Sequence, residues 1–264
     1  MEKFESIQLL KNDIVRQNVR LGKRLDDRPF LSYRKLEIIP GYIPKAEGSC
    51  LVKLGNTKVL AGIKLSIEEP FPDTPASGML MVGAELDPIA SEYFTAGPPD
   101  ENSIELARVV DRGIRESKCI DLEKLCIVPG EKVWNVFIDI YVLDHDGNLF
   151  DASSVAAVNA LYNCYFPEIK DDKIIYEKHT DQKLPMVDIP CSTTFVKIEN
   201  SLLLDPTFDE ECTADARLTI TTTKDGKLCA MQKGGPGDFT EEELKTMLNI
   251  SISKGAELRS LFKI

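Results

Sequence analysis

The sequence is short of the residues that build metal sites. It has two histidines, His145 and His179, in 264 residues, too few for a His/Cys zinc centre. Seven cysteines stand at 50, 119, 126, 164, 191, 212 and 229, and none forms a Cys-x-x-Cys pair. Their odd number and wide spacing suggest reduced, mostly buried thiols and speak against a disulfide framework. No apolar run approaches membrane-spanning length, so no membrane partner is expected. The opening Met1-Glu2-Lys3-Phe4-Glu5 lacks the apolar core of a secretory signal, and the expected location is cytoplasmic. Positive charge is also scarce: 32 Lys and Arg face 43 Asp and Glu, for a net charge of −11. Such a surface repels a polyanion on average, whereas nucleic-acid affinity rests on phosphate neutralisation. A free-standing RNA binder is therefore disfavoured. RNA contact would need a local basic patch or a more basic partner. No Gly-Lys-Ser/Thr follows the Lys233-Gly234-Gly235-Pro236-Gly237-Asp238 segment, so it is not a nucleotide-binding Walker loop.

What is present is a soluble, globular composition, 43% apolar and 28% charged, long enough for one large or two moderate domains. Residues 2–21 read as an amphipathic helix, with Phe4, Ile7, Leu10 and Ile14 near helical spacing. After a charged turn (22–29), Leu36–Ile39 is a strand, and 49–54 with 57–67 form a hairpin turning at Gly55-Asn56. Asp100–Lys118 is the clearest internal helix, with Asn102 as cap, Glu105 three residues later, and a stripe of Ile104, Ala107, Val110 and Ile114. Strands follow at 125–128 and 132–143, the second placing Trp134, Val136, Ile138, Ile140 and Val142 on one face. Asp151 is the expected cap of a helix reaching Tyr162, in which Ala152, Ala156, Ala157 and Ala160 permit close packing. The charged, proline-punctuated stretch 171–190 reads as a linker.

The second half repeats the theme. Phe195–Leu204 mirrors Leu51–Leu60, with four of ten positions identical and the turn at the same place. Strands at 216–223 and 227–232, joined by Asp225-Gly226, precede a helix opened by a Thr240/Glu243 capping box. The pattern predicts an α+β fold of two duplicated halves, residues 1–187 and 188–264, with mixed sheets and packed helices.

Two features carry chemistry. Arg108, Arg112 and Arg115 are spaced i, i+4, i+7 and fall within about 60° on one helix face. Three guanidiniums so placed can grip successive phosphates, or simply pair with Glu105, Asp111 and Glu116. The acidic stretch Asp205–Asp215 offers Glu211 and Asp215 as candidate acid or magnesium ligands, but its simpler reading is a solvated loop. Asp144-His145-Asp146 reads as a turn and not as a metal site. Lys45, Lys53, Lys58 and Lys64 are expected to be solvated, and Phe71, Tyr93 and Phe94 to pack or to stack on bases.

Several long motifs carry a resemblance. Residues 22–36, Ile38–Ser49, Leu106–Lys118, Val142–Ala152 and Leu204–Glu211 resemble the non-catalytic type of RNase PH-like subunit of archaeal exosomes. One departure is Asp27: the family's Arg-x-Asp-Gly-Arg has glycine there. The resemblance implies a duplicated βαβ-type RNase PH fold. It implies a hexameric ring of three heterodimers with a catalytic RNase PH-like partner, and RNA-binding cap proteins on one face. A single-stranded RNA 3′ end would enter the ring and be shortened by inorganic phosphate, releasing nucleoside diphosphates. It also implies that Arg108, Arg112 and Arg115 face the partner's active site and help hold that RNA end.

Active relatives hold phosphate with a Gly-Ser/Thr-Arg segment before the central helix, where backbone donors and a cation meet the anion. Here Gly147-Asn148-Leu149-Phe150-Asp151 replaces it, without hydroxyl or cation. Active relatives also place two aspartates six residues apart, whereas Glu211 and Asp215 are four apart. The expectation is a catalytically inactive homologue with no catalytic residue, metal site or cofactor of its own. Two alternatives stay open: an active phosphate-dependent 3′-to-5′ exoribonuclease, and a small-molecule enzyme such as a sugar-phosphate kinase on a related fold.

Overall fold

The computed structural model describes residues 2–170 and 173–263; for residues 2–7, 173 and 177 it describes the backbone alone. The chain opens with α1 (Glu2–Arg20), then β1 (Leu36–Pro40), β2 (Gly48–Leu54), β3 (Thr57–Glu68), β4 (Met79–Leu86) and α2 (Glu101–Glu116). A 3-10 turn at Leu122–Leu125 leads into β5 (Cys126–Val128), β6 (Lys132–Asp144), α3 (Leu149–Tyr162), β7 (Tyr165–Lys170) and β8 (Lys173–Lys183). The remainder is β9 (Cys191–Ile198), β10 (Ser201–Leu204), α4 (Phe208–Thr213), β11 (Ala216–Thr222), β12 (Leu228–Gly234) and α5 (Glu241–Arg259).

The strands form one mixed sheet, one antiparallel sheet and the two-stranded β7-β8 hairpin. The first sheet runs β1-β2-β3-β6-β4, with β5 added to β6, and β4 is parallel to β6 while the other pairs are antiparallel. The second is an antiparallel sheet, β10-β9-β11-β12. The two mirrored hairpins both turn through a residue in the left-handed region, Gly55 at φ +59° and Glu199 at φ +57°. Their surroundings differ, however: β1 and β6 flank the first hairpin on both sides, whereas in the second only β9 has a further neighbour, β11.

Helix α3 is the centre of the molecule. It packs against β2, β3, β9 and α2, and every residue from Phe150 to Leu161 is buried. The four alanines foreseen there are fully enclosed, and they let the sheet approach the helix backbone. Gly48 completes that approach: a Cβ there would sit 2.3 Å from the Ala160 carbonyl oxygen. The alternating face of β6 is likewise buried, from Trp134 through Val142.

Several local expectations need correction. On α1, Leu10 and Ile14 are exposed; Val15 and Val19 are buried instead, against Val196, Ile198 and Leu203 of the second sheet. Phe4 and Ile7 lie outside the residues with described side chains. Helix α2 is capped by Asp100, whose carboxylate accepts from the Ser103 N–H at 2.8 Å, while Asn102 only donates to Asp100. Its buried stripe is Leu106, Val109, Val110 and Ile114; Ile104 points outward, one step off the expected face. Residues 173–183 are strand β8, paired with β7, so the stretch read as a linker is largely a hairpin. The Thr240/Glu243 capping box forms as expected, each side chain bonded to the other's backbone N–H. Asp27 adopts φ +58°, so aspartate takes the left-handed turn for which the resembled family uses glycine.

Candidate functional site: a closed helix end and an open arginine face

The start of α3 is where the two halves lock together. Its cap is Asn148, in the left-handed region at φ +55°, and not Asp151. Gly147, at φ +86°, touches the loop before α4 so closely that a Cβ would lie 2.4 Å from the Thr207 carbonyl carbon. The Asn148 amide donates to Asp151 at 2.9 Å and to Asp205 at 2.7 Å. Asp151 is buried inside the first turn, where it accepts from Tyr33 Oη at 2.7 Å and from both the N–H and the hydroxyl of Thr194. Burial still pushes its carboxyl up to about 6.

A set of buried ion pairs surrounds this point. Arg34 donates to Asp205 through Nε at 3.0 Å and Nη2 at 2.8 Å, and Arg28 adds Nη1 at 3.0 Å. Arg24 and Glu210, both buried, form a further pair, and Arg24 also donates to the Leu204 and Asp205 carbonyls. Three arginines of one short N-terminal segment thus clasp the acidic segment that follows β10. That segment is not the solvated loop expected from its charge. It forms α4, with a Thr207/Glu210 capping box, and Asp215 pairs with Arg16 at 2.8 Å.

Glu211 matters most. Its Oε1 accepts the Asn148 backbone N–H at 2.9 Å. One backbone donor at the N-terminus of α3, a natural anion seat, is therefore taken by the chain's own carboxylate. Phe150 lies beside it under Arg217, whose guanidinium carbon is 4.3 Å from the ring centroid. Arg217 in turn meets both oxygens of Glu105 at 2.8 Å. Burial raises the Glu211 carboxyl to about 7, opposed by the Asn148 N–H and by Arg217 and Arg34. His145 stacks on Phe94, and burial drives its imidazole down to about 4, so it is neutral at neutral pH. Among the described residues no group of three His, Cys, Asp or Glu is placed to hold a metal ion. No helix among them is long and apolar enough to cross a membrane.

Sequence reasoning missed Arg24, Arg34 and Arg217. A signal existed in the arginine-rich segment Arg24–Arg34 and the acidic segment Asp205–Asp215, which are complementary in charge. Their separation, about 180 residues, hid the pairing. Of the four lysines expected to be solvated, Lys45 is exposed in the turn before β2, while Lys53, Lys58 and Lys64, still partly exposed, pair with Glu37, Asp144 and the buried Glu47.

The arginine face is the opposite kind of surface. Arg108, Arg112 and Arg115 line one open groove between α2 and β4, about 510 Å³ in volume, together with Leu80, Met81 and Val82. The structure therefore brings the three sequence-predicted residues together. Arg108 makes no ion pair or hydrogen bond among the described residues. Arg112 has one long contact, to Gln232 at 3.4 Å. Arg115 is held by Asp111, at 2.7 and 3.1 Å, and by the Leu80 carbonyl.

Two sheets sharing a central buried helix, with a cleft at that helix's N-terminus, define the class. Residues 32–167 match domain 1 of the 3′ exoribonuclease family and residues 188–254 match its domain 2, so the chain belongs to the RNase PH family of 3′ exoribonucleases. Within it, the chain is similar from end to end to archaeal exosome complex components. It is 50% identical to exosome complex component Rrp42 of Archaeoglobus fulgidus over 254 residues, 96% of each chain. With the Methanopyrus kandleri component Rrp42 it shares 48% over 256 residues, again 96% of each. A chain of the Archaeoglobus fulgidus exosome, solved with RNA bound to the active site, superposes with a TM-score of 0.91 at 49% identity, covering 97% of this chain and 99% of that one. A chain of an archaeal exosome core gives 0.89 at 46%, with full coverage of both. Rice Rrp46, at 14% identity and a TM-score of 0.69, shares the fold alone.

Proposed function

We propose that the chain is a non-catalytic ring subunit of an exosome that degrades RNA from its 3′ end. It pairs with a catalytic RNase PH-like subunit, three such heterodimers closing the ring, and RNA-binding cap proteins sit on one face. Its work is to shape the neighbour's active site and to lend Arg108, Arg112 and Arg115 to the RNA 3′ end. The end-to-end similarity to archaeal exosome components supports this assembly and, with it, the proposed cytoplasmic location.

One observation carries the catalytic silence: Glu211 occupies the Asn148 N–H at the head of α3. Phosphorolysis needs unoccupied donors and a free cation there to hold a phosphate dianion. Here the donor is satisfied by a carboxylate, the nearby Arg217 is neutralised by Glu105, and Phe150 fills the space beneath it. A carboxyl raised to about 7 is also what a general acid looks like, which favours the active-enzyme reading as the second one. Phosphate-dependent shortening of single-stranded RNA decides between them. The purified chain alone is expected to release no nucleoside diphosphate, and its mixture with a catalytic partner is expected to exceed the partner alone. Sustained release by the isolated chain would establish the second reading instead.

A further inference from the structure

At the closed helix end lies a cavity of about 350 Å³, lined in part by Glu105, Phe150, Glu211 and Arg217, the residues that close that end. Four aromatic rings in mutual contact line it. Tyr93 and Phe208 have centroids 5.0 Å apart, Phe208 meets His145 edge-on at 5.0 Å, and His145 stacks on Phe94 at 5.3 Å. These rings come from three separate segments: the loop before α2, the turn before α3, and α4. Tyr93 is half exposed, so the ring wall is reachable from solvent.

The charged groups of the lining are Glu105, Glu211 and Arg217. Glu105 and Arg217 neutralise each other through contacts of 2.8 Å. Glu211 has no ion-pair partner among the described residues; its one hydrogen bond comes from a backbone N–H. Arg34 and Arg217 favour its ionised form from a distance, and Asp205 and burial oppose it. His145 adds no charge near neutrality. The cavity therefore combines a wall of aromatic rings with one partly buried carboxylate that has no ion-pair partner among the described residues. Burying such a carboxylate is costly until an opposite charge arrives. Ring faces attract cations, and the chain as a whole, at −11, draws cations toward it. An anionic ligand is repelled by Glu211, and a neutral heterocycle leaves Glu211 uncompensated.

We infer that this cavity binds a small free organic cation with a planar amidinium or guanidinium head, its charge on Glu211 and its plane against the aromatic wall of Tyr93, Phe94 and Phe208. The ligand class follows from charge complementarity and the aromatic wall; the inference rests on the reading of Glu211 as a non-catalytic carboxylate and needs no ring assembly, so binding by the isolated chain is read apart from RNA shortening.

The test is calorimetric titration of the full chain with benzamidine, its neutral isostere benzamide, and guanosine. Benzamidine is expected to bind at least tenfold more tightly than either of the others. Its affinity should rise about tenfold from pH 6 to pH 8, as Glu211 changes from mostly protonated to mostly ionised. Glu211→Gln should erase the preference for benzamidine over benzamide. Tyr93→Leu, at a half-exposed ring, should weaken benzamidine about threefold or more with unchanged melting temperature. Should Glu211→Gln fail to fold, the benzamide comparison and Tyr93→Leu decide the matter. Equal binding of benzamide, tighter binding of guanosine, or no benzamidine binding at pH 8 would overturn the inference. So would undiminished benzamidine preference in a folded Glu211→Gln.

Discussion

The head of α3 and the outer face of α2 are built from the same kinds of residue and end in opposite states. At α3, arginines and carboxylates from distant segments meet and answer one another: Arg24 with Glu210 and Arg28 and Arg34 with Asp205 away from water, and Arg217 with Glu105 at a partly exposed pair. At α2, Arg108 and Arg112 remain in water with little or nothing to hold. The difference teaches where function can still reside. The pairs of Arg24, Arg28 and Arg34 specify structure, whereas unpaired cations on a helix face are available to an anion. In a chain of net charge −11, the groove between α2 and β4 gathers three arginines beside Asp111 and Glu116.

The sharpest way to break the comparison is to open the closed side. Arg24→Ala leaves Glu210 buried and unpaired, and the expected loss is about 3–5 kcal/mol of stability. Urea unfolding checks it; a loss below about 1 kcal/mol would mean that the buried pair does not hold the two halves together.

A smaller effect comes from pH. The Glu211 carboxyl sits at about 7 in the fold, against an ordinary value of 4.5, so the folded state binds a proton that the unfolded state releases between those values. Stability should therefore fall as pH rises from 4.5 to 7 and level off above, by at most about 3 kcal/mol. Asp151, raised to about 6, slopes the same way over a narrower range. Glu211→Gln keeps an oxygen for the Asn148 N–H and should flatten most of the slope, raising stability at pH 8. An unchanged slope in that variant would assign it to other groups.

Packing around α3 gives a comparable test. Gly48→Ala forces a methyl against the Ala160 carbonyl and should cost about 1–3 kcal/mol, read as a lower melting temperature.

The smallest effect on stability belongs to the open side. Arg108→Ala and Arg112→Ala should change folding by less than about 0.5 kcal/mol. In the assembled ring, each should weaken single-stranded RNA binding and lower the salt dependence of log K by about 0.7 per lost phosphate contact. Equal affinity and slope in the double variant would remove these residues from the RNA path.

How much of this was legible depends on the range of the interaction. The hairpin at Gly55-Asn56, the alternating β6 and the capping box of α5 are written in neighbouring residues, and they form as read. The arginine stripe was legible for the same reason, because helical spacing alone puts three side chains on one face. Ile104 and Asn102 were misassigned by a single step, since Asp100 competes for the cap and shifts the buried face. The acidic segment was misread more deeply. Its local charge looks solvated, and only Arg24, Arg28 and Arg34, some 170–190 residues away in sequence, bury it. For Asn148, local pattern pointed to Asp151 as the cap; the left-handed asparagine became visible only with Asp205 and Glu211 around it.

The central claim, a silent site beside working arginines, is tested most directly in a mixed ring. Phosphate-dependent RNA shortening should be measured with an intact catalytic partner and this chain carrying Arg112→Ala and Arg115→Ala together. The account predicts a ring that assembles normally and shortens RNA at least tenfold more slowly than the parent ring. An assembled ring that runs at the parent rate would contradict it.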